Sequence, residues 1–170
     1  LKPAGPDGSF YPSFDLATAT LGNDNHMEVA SEMSPTLHFR LGKDFHPLRF
    51  SASGEAKGAL VFAGFGIVSA ARFHDDLKND IVKNRIVLVL DHEPGENDPD
   101  SVFDGVVRSE ASNQLHKTLF AQDRGALGIL FVKDVHNHGE PTNFDAAAKD
   151  YWPSESTRIG RFTLASQMNR

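Results

Sequence analysis

Two short stretches of this chain carry side chains of the kind that hold metals. His74-Asp75-Asp76 sets an imidazole two residues from a carboxylate, and His136-Asn137-His138 places two imidazoles at i and i+2, with Asp134 and Glu140 close by. In an extended strand, residues i and i+2 point to the same face, so a His pair at that spacing can grip one ion. A hydrolytic zinc site needs about three converging protein ligands, one open position and a carboxylate base. His74, Asp76, His136 and His138 together would make a small metal-dependent hydrolase. No adjacent acid pair follows downstream to complete such a set, and the carboxylates of His74-Asp75-Asp76 are expected to cap local amides in a turn. The His136 segment follows an apolar run and ends in Gly139, so a polar surface loop is expected there.

A third stretch is acidic. Asp91, Glu93, Glu96, Asp98, Asp100 and Asp104 place six carboxylates within fourteen residues, which suits calcium in ligand type. The spacing fails the twelve-residue calcium loop, lacking its glycine and its closing glutamate. A solvated loop is expected. If it binds anything, Glu93, Glu96, Asp98, Asp100 and Phe103 would form a substrate-facing loop that meets cationic or N-terminal amine groups. Nucleophilic catalysis has no Gly-x-Ser-x-Gly elbow to build on. Gly64-Phe65-Gly66 lacks the third glycine and the helix start of a dinucleotide site.

The elements that must position these residues are legible in the apolar pattern. Residues 1–34 are rich in Pro, Gly, Asp and Asn and read as loop or extended chain, with one strand in Phe14–Ala19. Leu37, Phe39 and Leu41 alternate with His38 and Arg40, the pattern of a half-buried strand. Pro47–Ser51 gives a second short extended piece. Ala59–Phe65 and Ile86–Leu90 are continuous apolar runs suited to strands buried on both faces, with Gly64 and Gly66 allowing a bulge or a close approach. His74–Asn84 between them is polar and reads as a short helix or turn.

Glu110–Arg124 reads as the best helix, with Ser109 as its N-cap and Gly125 as its left-handed terminator. Ala111, Leu115 and Leu119 recur on one face. Leu127–Val132 is a third buried run, expected to lie parallel to Ile86–Leu90 through the helical crossover. Arg161–Ala165 forms a last extended piece. The expected fold class is α/β, with a mixed central sheet and one or two packing helices.

Composition narrows the function. At 170 residues the chain fits one domain or one domain with an extra segment. Apolar residues are 39%, but the thirteen phenylalanines supply a sizeable core. A net charge of −6 argues against nucleic acid, which needs clustered Lys and Arg. No basic amphipathic face suggests a membrane surface, and no run approaches the roughly 18 apolar residues of a span. With no cysteine there is neither a disulfide framework nor a thiolate metal site. Leu1-Lys2-Pro3-Ala4-Gly5-Pro6 has no initiator Met and no signal-peptide core, and reads as a cut inside a longer chain.

The order of these pieces resembles a known family. Asp44-Phe45-His46-Pro47 with Phe50-Ser51-Ala52-Ser53-Gly54, then Gly64-Phe65-Gly66-Ile67, Phe73-His74-Asp75-Asp76-Leu77, Lys83-Asn84-Arg85 leading into Ile86–Leu90, Glu93-Pro94-Gly95, and Ala121 through Val132 are similar to protease-associated domains. Such domains are inserted in zinc-dependent exopeptidases related to bacterial aminopeptidases, glutamate carboxypeptidase and the transferrin receptor. Leu1–Gly5 with Phe10-Tyr11 and Phe14 is similar to the segment that precedes the insertion. Phe65 and His74 stand where Tyr is common, and Asn84 replaces a frequent Gly.

The resemblance implies a swivelling β/β/α fold and a non-catalytic module. It would gate substrate access or mediate protein and peptide contacts, with the catalytic domain of the same polypeptide and peptide substrate as partners. Its acidic loop would lean over the neighbouring active site. Residues 1–34 would belong to the peptidase framework, 35–166 to the protease-associated domain, and 167–170 to the start of the return. Zinc would sit in the catalytic domain and no cofactor in this chain, and the protein would be exported. The alternatives are a free-standing peptide- or carbohydrate-binding module and the metal-dependent hydrolase already named.

Overall fold

The computed structural model describes residues 20–133 together with Lys2, Gly8, Phe10, Leu16, Ala17, Thr163 and Leu164. The chain divides into two compact units, one of residues 1–52 with 143–170 and the other of residues 53–142. The expected boundary at 34/35 therefore falls inside a hairpin of the first unit.

That hairpin pairs β2 (Met27–Ser31) with β3 (Ser34–Phe39), following the short β1 (Leu16–Ala17). Met33 N donates to Ser31 Oγ at 3.2 Å in its tight turn. The sequence reading finds β3 but not β2, whose Met-Glu-Val-Ala-Ser lacks a strong strand pattern. It also expects β3 to be half-buried, whereas Leu37 is 57% exposed. Pro47–Ser51 is not a strand: Ser51 N donates to Leu48 O at 2.8 Å and closes a turn. Asp44 accepts from both the backbone N and Nε of Arg40, each at 2.8 Å, and ties down the preceding loop.

The second unit is built on three apolar runs. β4 (Ala59–Phe62) leads through a glycine turn to the β5 (Val68–Ser69) and β6 (His74–Asp75) hairpin, whose connection holds a 3-10 turn at Ala70–Arg72. A single-turn helix, α1 (Asn79–Val82), precedes β7 (Arg85–Leu90). After the acidic loop come a 3-10 turn at Glu110–Ser112, α2 (Gln114–Asp123) and β8 (Gly128–Val132). The sheet order is β4-β7-β8, with every pair parallel. β9 (Thr163–Leu164) pairs antiparallel with β1 within the first unit.

The fold is thus mixed α/β, with few helices and small sheets. The expected parallel pairing of the second and third apolar runs is present, in the register Ile86↔Gly128 to Leu90↔Val132. Among the described residues the expected mixed central sheet is not. The three-stranded sheet is wholly parallel, and the antiparallel pairs lie in separate two-stranded ribbons.

The core of this unit sits on one face of the sheet. Val87 and Val89 of β7 are fully buried against Leu77, Val82 and Ala121, with Val61, Ile81, Ile129 and Phe131 packed around them. Each such aliphatic side chain contributes about 1.5–3 kcal/mol on burial. Polar groups of the helices and turns are placed relative to this layer.

The helix expected over Glu110–Arg124 is interrupted. Ser109 caps only the 3-10 turn, its Oγ accepting from Ala111 N at 3.2 Å. Asn113 then adopts an extended ψ of 120°, and its Oδ1 accepts from Leu115 N at 2.9 Å as the true cap of α2. A residue in that conformation cannot continue a helix, so two caps follow in succession. Gly125 terminates α2 at φ 76°, as its position suggests. The buried face carries Lys117 and Ala121 rather than the Ala111, Leu115 and Leu119 stripe, and Leu115 is 44% exposed.

Candidate functional site

The end of β4 turns sharply through Ala63-Gly64-Phe65-Gly66, closed by Gly66 N donating to Ala63 O at 2.9 Å. Gly64 and Gly66 lie at φ 53° and 67°, in the left-handed region. Close approach is a second reason for glycine: a Cβ on Gly66 would stand 2.7 Å from Val89 Cγ1. The turn is clamped by Asp76, whose Oδ2 accepts from Phe65 N at 3.2 Å and Ile67 N at 3.1 Å. Asp76 Oδ1 lies 2.9 Å from His74 Nε2. Asp75 accepts from Leu77 N at 3.0 Å and from Arg124, and that guanidinium holds the Asp75 carboxyl below the usual carboxylate range. Asp75 therefore caps a local amide as expected, whereas Asp76 serves the glycine turn nine and eleven residues before it.

Where β7 ends, a buried polar cluster begins. Lys117 reaches from α2, 1% exposed, and donates to Leu90 O at 3.2 Å, Asp91 O at 3.1 Å and His92 O at 2.6 Å. Burial pushes its ammonium down to about 8, against the opposing pull of Asp91, Glu93 and Asp76. Glu93 is fully buried and accepts from Ser109 N at 2.9 Å and from Ser109 Oγ. Glu96 lies 3.5 Å from His92 Nδ1, and both side chains are at most a tenth exposed.

The acidic loop is accordingly not a uniform polar surface. Of the five residues expected to face a substrate, Glu93, Glu96 and Phe103 turn inward, while Asp98 and Asp100 are exposed. Asp98 Oδ1 accepts from Asp100 N at 2.9 Å, a local turn. Phe103 is 3% exposed and packs edge-on against His74, with ring centroids 5.2 Å apart, under the guanidinium of Arg72. The loop is thus anchored at both ends and exposed between them.

Beside this cluster lies an open cleft of about 230 Å³, bordered by Ser69, Arg72, Glu110, His116, Lys117 and Phe120 among others. Its charged groups differ in availability. Lys117 has its ammonium occupied by the three carbonyls, and Arg72 is paired with Asp104 at 3.0 Å. Glu110 and His116 are exposed.

Among the described residues, no three His, Asp or Glu side chains converge as a metal site would require. His74 and Asp76 are brought together, but two amides already occupy one oxygen of Asp76. His136 and His138 lie outside the described residues. No described helix is long and apolar enough to cross a membrane.

Sequence reasoning missed Lys117 and the Glu93–Ser109 pair. The only local signal for Lys117 is its four-residue spacing from Ala121 on one helical face. Glu93 and Ser109 are sixteen residues apart, so nothing local announces their contact. No protein-family model, curated protein or solved structure matches the chain.

Proposed function

We propose that this chain is a protease-associated domain, a non-catalytic module of an exported zinc aminopeptidase or related exopeptidase. It shapes access of peptides to the active site of the catalytic domain in the same polypeptide. One observation carries the non-catalytic part. Asp76, Glu93 and Lys117, the strongest candidates for acid, base or ligand, are each held by backbone groups and face away from solvent or into a turn. A general base must be free to reach a substrate proton, and these are engaged.

The parallel β4-β7-β8 order and the glycine turn after β4 support the resemblance on which the family reading rests. In this reading zinc belongs to the catalytic domain. His74 and Asp76 do not fit it here, because Asp76 serves the Phe65 and Ile67 amides. Contact with a peptide falls to the exposed Asp98 and Asp100, which can meet an amine or a basic side chain.

The gating role is tested by deleting the module from the parent enzyme. Hydrolysis of small aminoacyl amides should persist, while selectivity among longer peptides changes. Unchanged kcat/KM across long and short substrates would overturn it. The open cleft favours a second reading, a free-standing peptide-binding module. That reading expects saturable heat of binding with peptide pools, and an absence of heat across them would remove it.

A further inference from the structure

The cleft beside the buried polar cluster is bounded by two separate stretches of chain. Ser69 and Arg72 come from the β5–β6 hairpin, while Glu110, Ala111, His116 and Phe120 come from the 3-10 turn before α2 and from α2 itself. The hairpin side is held by Arg72, whose Nε donates to the Val102 carbonyl and whose Nη2 donates to Asp104 Oδ2 at 3.0 Å. The helix side is held by Ser109 and Asn113, which cap the 3-10 turn and α2 in succession. Both walls are thus fixed by partners that do not border the cleft.

Four polar groups on residues of this border have no partner among the described residues. They are the Ser69 hydroxyl, Arg72 Nη1, the Glu110 carboxylate and the His116 imidazole. Arg72 is well suited to a ligand, because two of its nitrogens already fix the guanidinium and the third can donate with little further ordering. Lys117 adds no free charge, since its ammonium meets the carbonyls of Leu90, Asp91 and His92. Val68, Ala111 and Phe120 give the same border an apolar part. A few placed polar groups beside an apolar lining is the common form of a small-molecule site. At about 230 Å³ the cleft is smaller than the roughly 300–1,000 Å³ of sites that take drug-sized ligands. A single amino acid is the matching size.

We infer that this cleft binds a free α-amino acid with an apolar side chain. Glu110 receives the ammonium, Arg72 and His116 donate to the carboxylate, and Val68 and Phe120 meet the side chain. An anion alone would face Glu110 unpaired, and a cation alone would face Arg72, so a ligand with both charges fits best. This site does not depend on the protease-associated reading. It narrows the peptide-binding reading, because a peptide bond on either side of the residue would remove one of the two charges recognised.

The test is an NMR titration of the isotope-labelled 170-residue chain with L-leucine, N-acetyl-L-leucine and L-leucinamide. L-Leucine should shift the backbone amides of Gly66, Ser69 and Ala111 saturably. Each blocked form should bind about tenfold more weakly, because it leaves a charged group of the site without its partner. Glu110→Gln should weaken L-leucine about tenfold and erase its advantage over N-acetyl-L-leucine, at an unchanged melting temperature, since that carboxylate holds nothing else among the described residues. Ala111→Leu, which fills the cleft, should abolish binding with both charges still in place. The inference is overturned if L-leucine does not saturate, if both blocked forms match it, or if neither variant changes its affinity. A capped peptide that binds the same amides as well as L-leucine would also overturn it, while leaving the peptide-binding reading in place. Saturable L-leucine binding without any heat from peptide pools would support it and remove that reading.

Discussion

Lys117 Nζ sits 2.6 Å from the carbonyl oxygen of His92, just past the end of β7. The same ammonium reaches the carbonyls of Leu90 and Asp91, so its three donors meet three successive acceptors. One side chain from α2 thereby sets the direction in which the acidic loop leaves the sheet.

This arrangement makes stability depend on pH in a definite direction. Lys117 titrates near 8 in the folded chain and near 10.4 when unfolded. Between those values the unfolded chain holds more protons, so stability rises with pH across that window and the gain is absent below it. At 1.36 kcal/mol per unit, the rise is about 3 kcal/mol at most. Urea unfolding of the native chain and Lys117→Met should show their stability difference growing in favour of the native chain from pH 7 to 10. Parallel curves would contradict the assignment.

The Glu93–Ser109 contact fastens the first residues of the acidic loop to the start of the helical region. Ser109→Ala removes the hydroxyl that donates to a buried carboxylate and also caps the turn at Ala111. A hydrogen bond to a charged group is worth about 1.5–3 kcal/mol, so a loss of that size is expected in chemical denaturation. Ser109→Thr, which keeps the hydroxyl, should recover part of it. Equal stability of Ser109→Ala and the native chain would show that the pair does not hold the loop.

The glycine turn makes a claim about shape alone. Gly66→Ala adds a methyl 2.7 Å from Val89 Cγ1 at a residue whose φ is 67°. Overpacking of this kind costs about 1–3 kcal/mol, and the left-handed backbone adds about 1–2 kcal/mol. Combining it with Val89→Ala should cost less than the sum of the two single changes, since the second makes room for the first. Strict additivity in thermal unfolding would contradict the close approach.

Much of the sheet was legible because its signals are local. The runs at Ala59–Phe62, Arg85–Leu90 and Gly128–Val132 are largely apolar and bounded by polar or glycine punctuation, so strand type is legible in all three, and the intervening helix makes the pairing of the last two legible as well. The helix start is ambiguous in the sequence because Ser109 and Asn113 are both good caps, and only the backbone at Asn113 decides between them. Burial of β3 and of the acidic loop escapes the sequence for a different reason. Alternation marks Leu37 as inward and charge marks Glu93 as outward, whereas tertiary partners decide burial, and Glu93 finds its partner on Ser109.

Under the proposed function, bond-breaking chemistry belongs to a catalytic domain and not to these 170 residues. The direct measurement is hydrolysis of a panel of aminoacyl nitroanilides by the purified chain, with and without added zinc, beside the parent exopeptidase that the proposed function implies. No turnover above background is expected from residues 1–170, and zinc-dependent turnover from that parent enzyme. Turnover by the 170-residue chain alone, lost on Asp76→Asn, would contradict it.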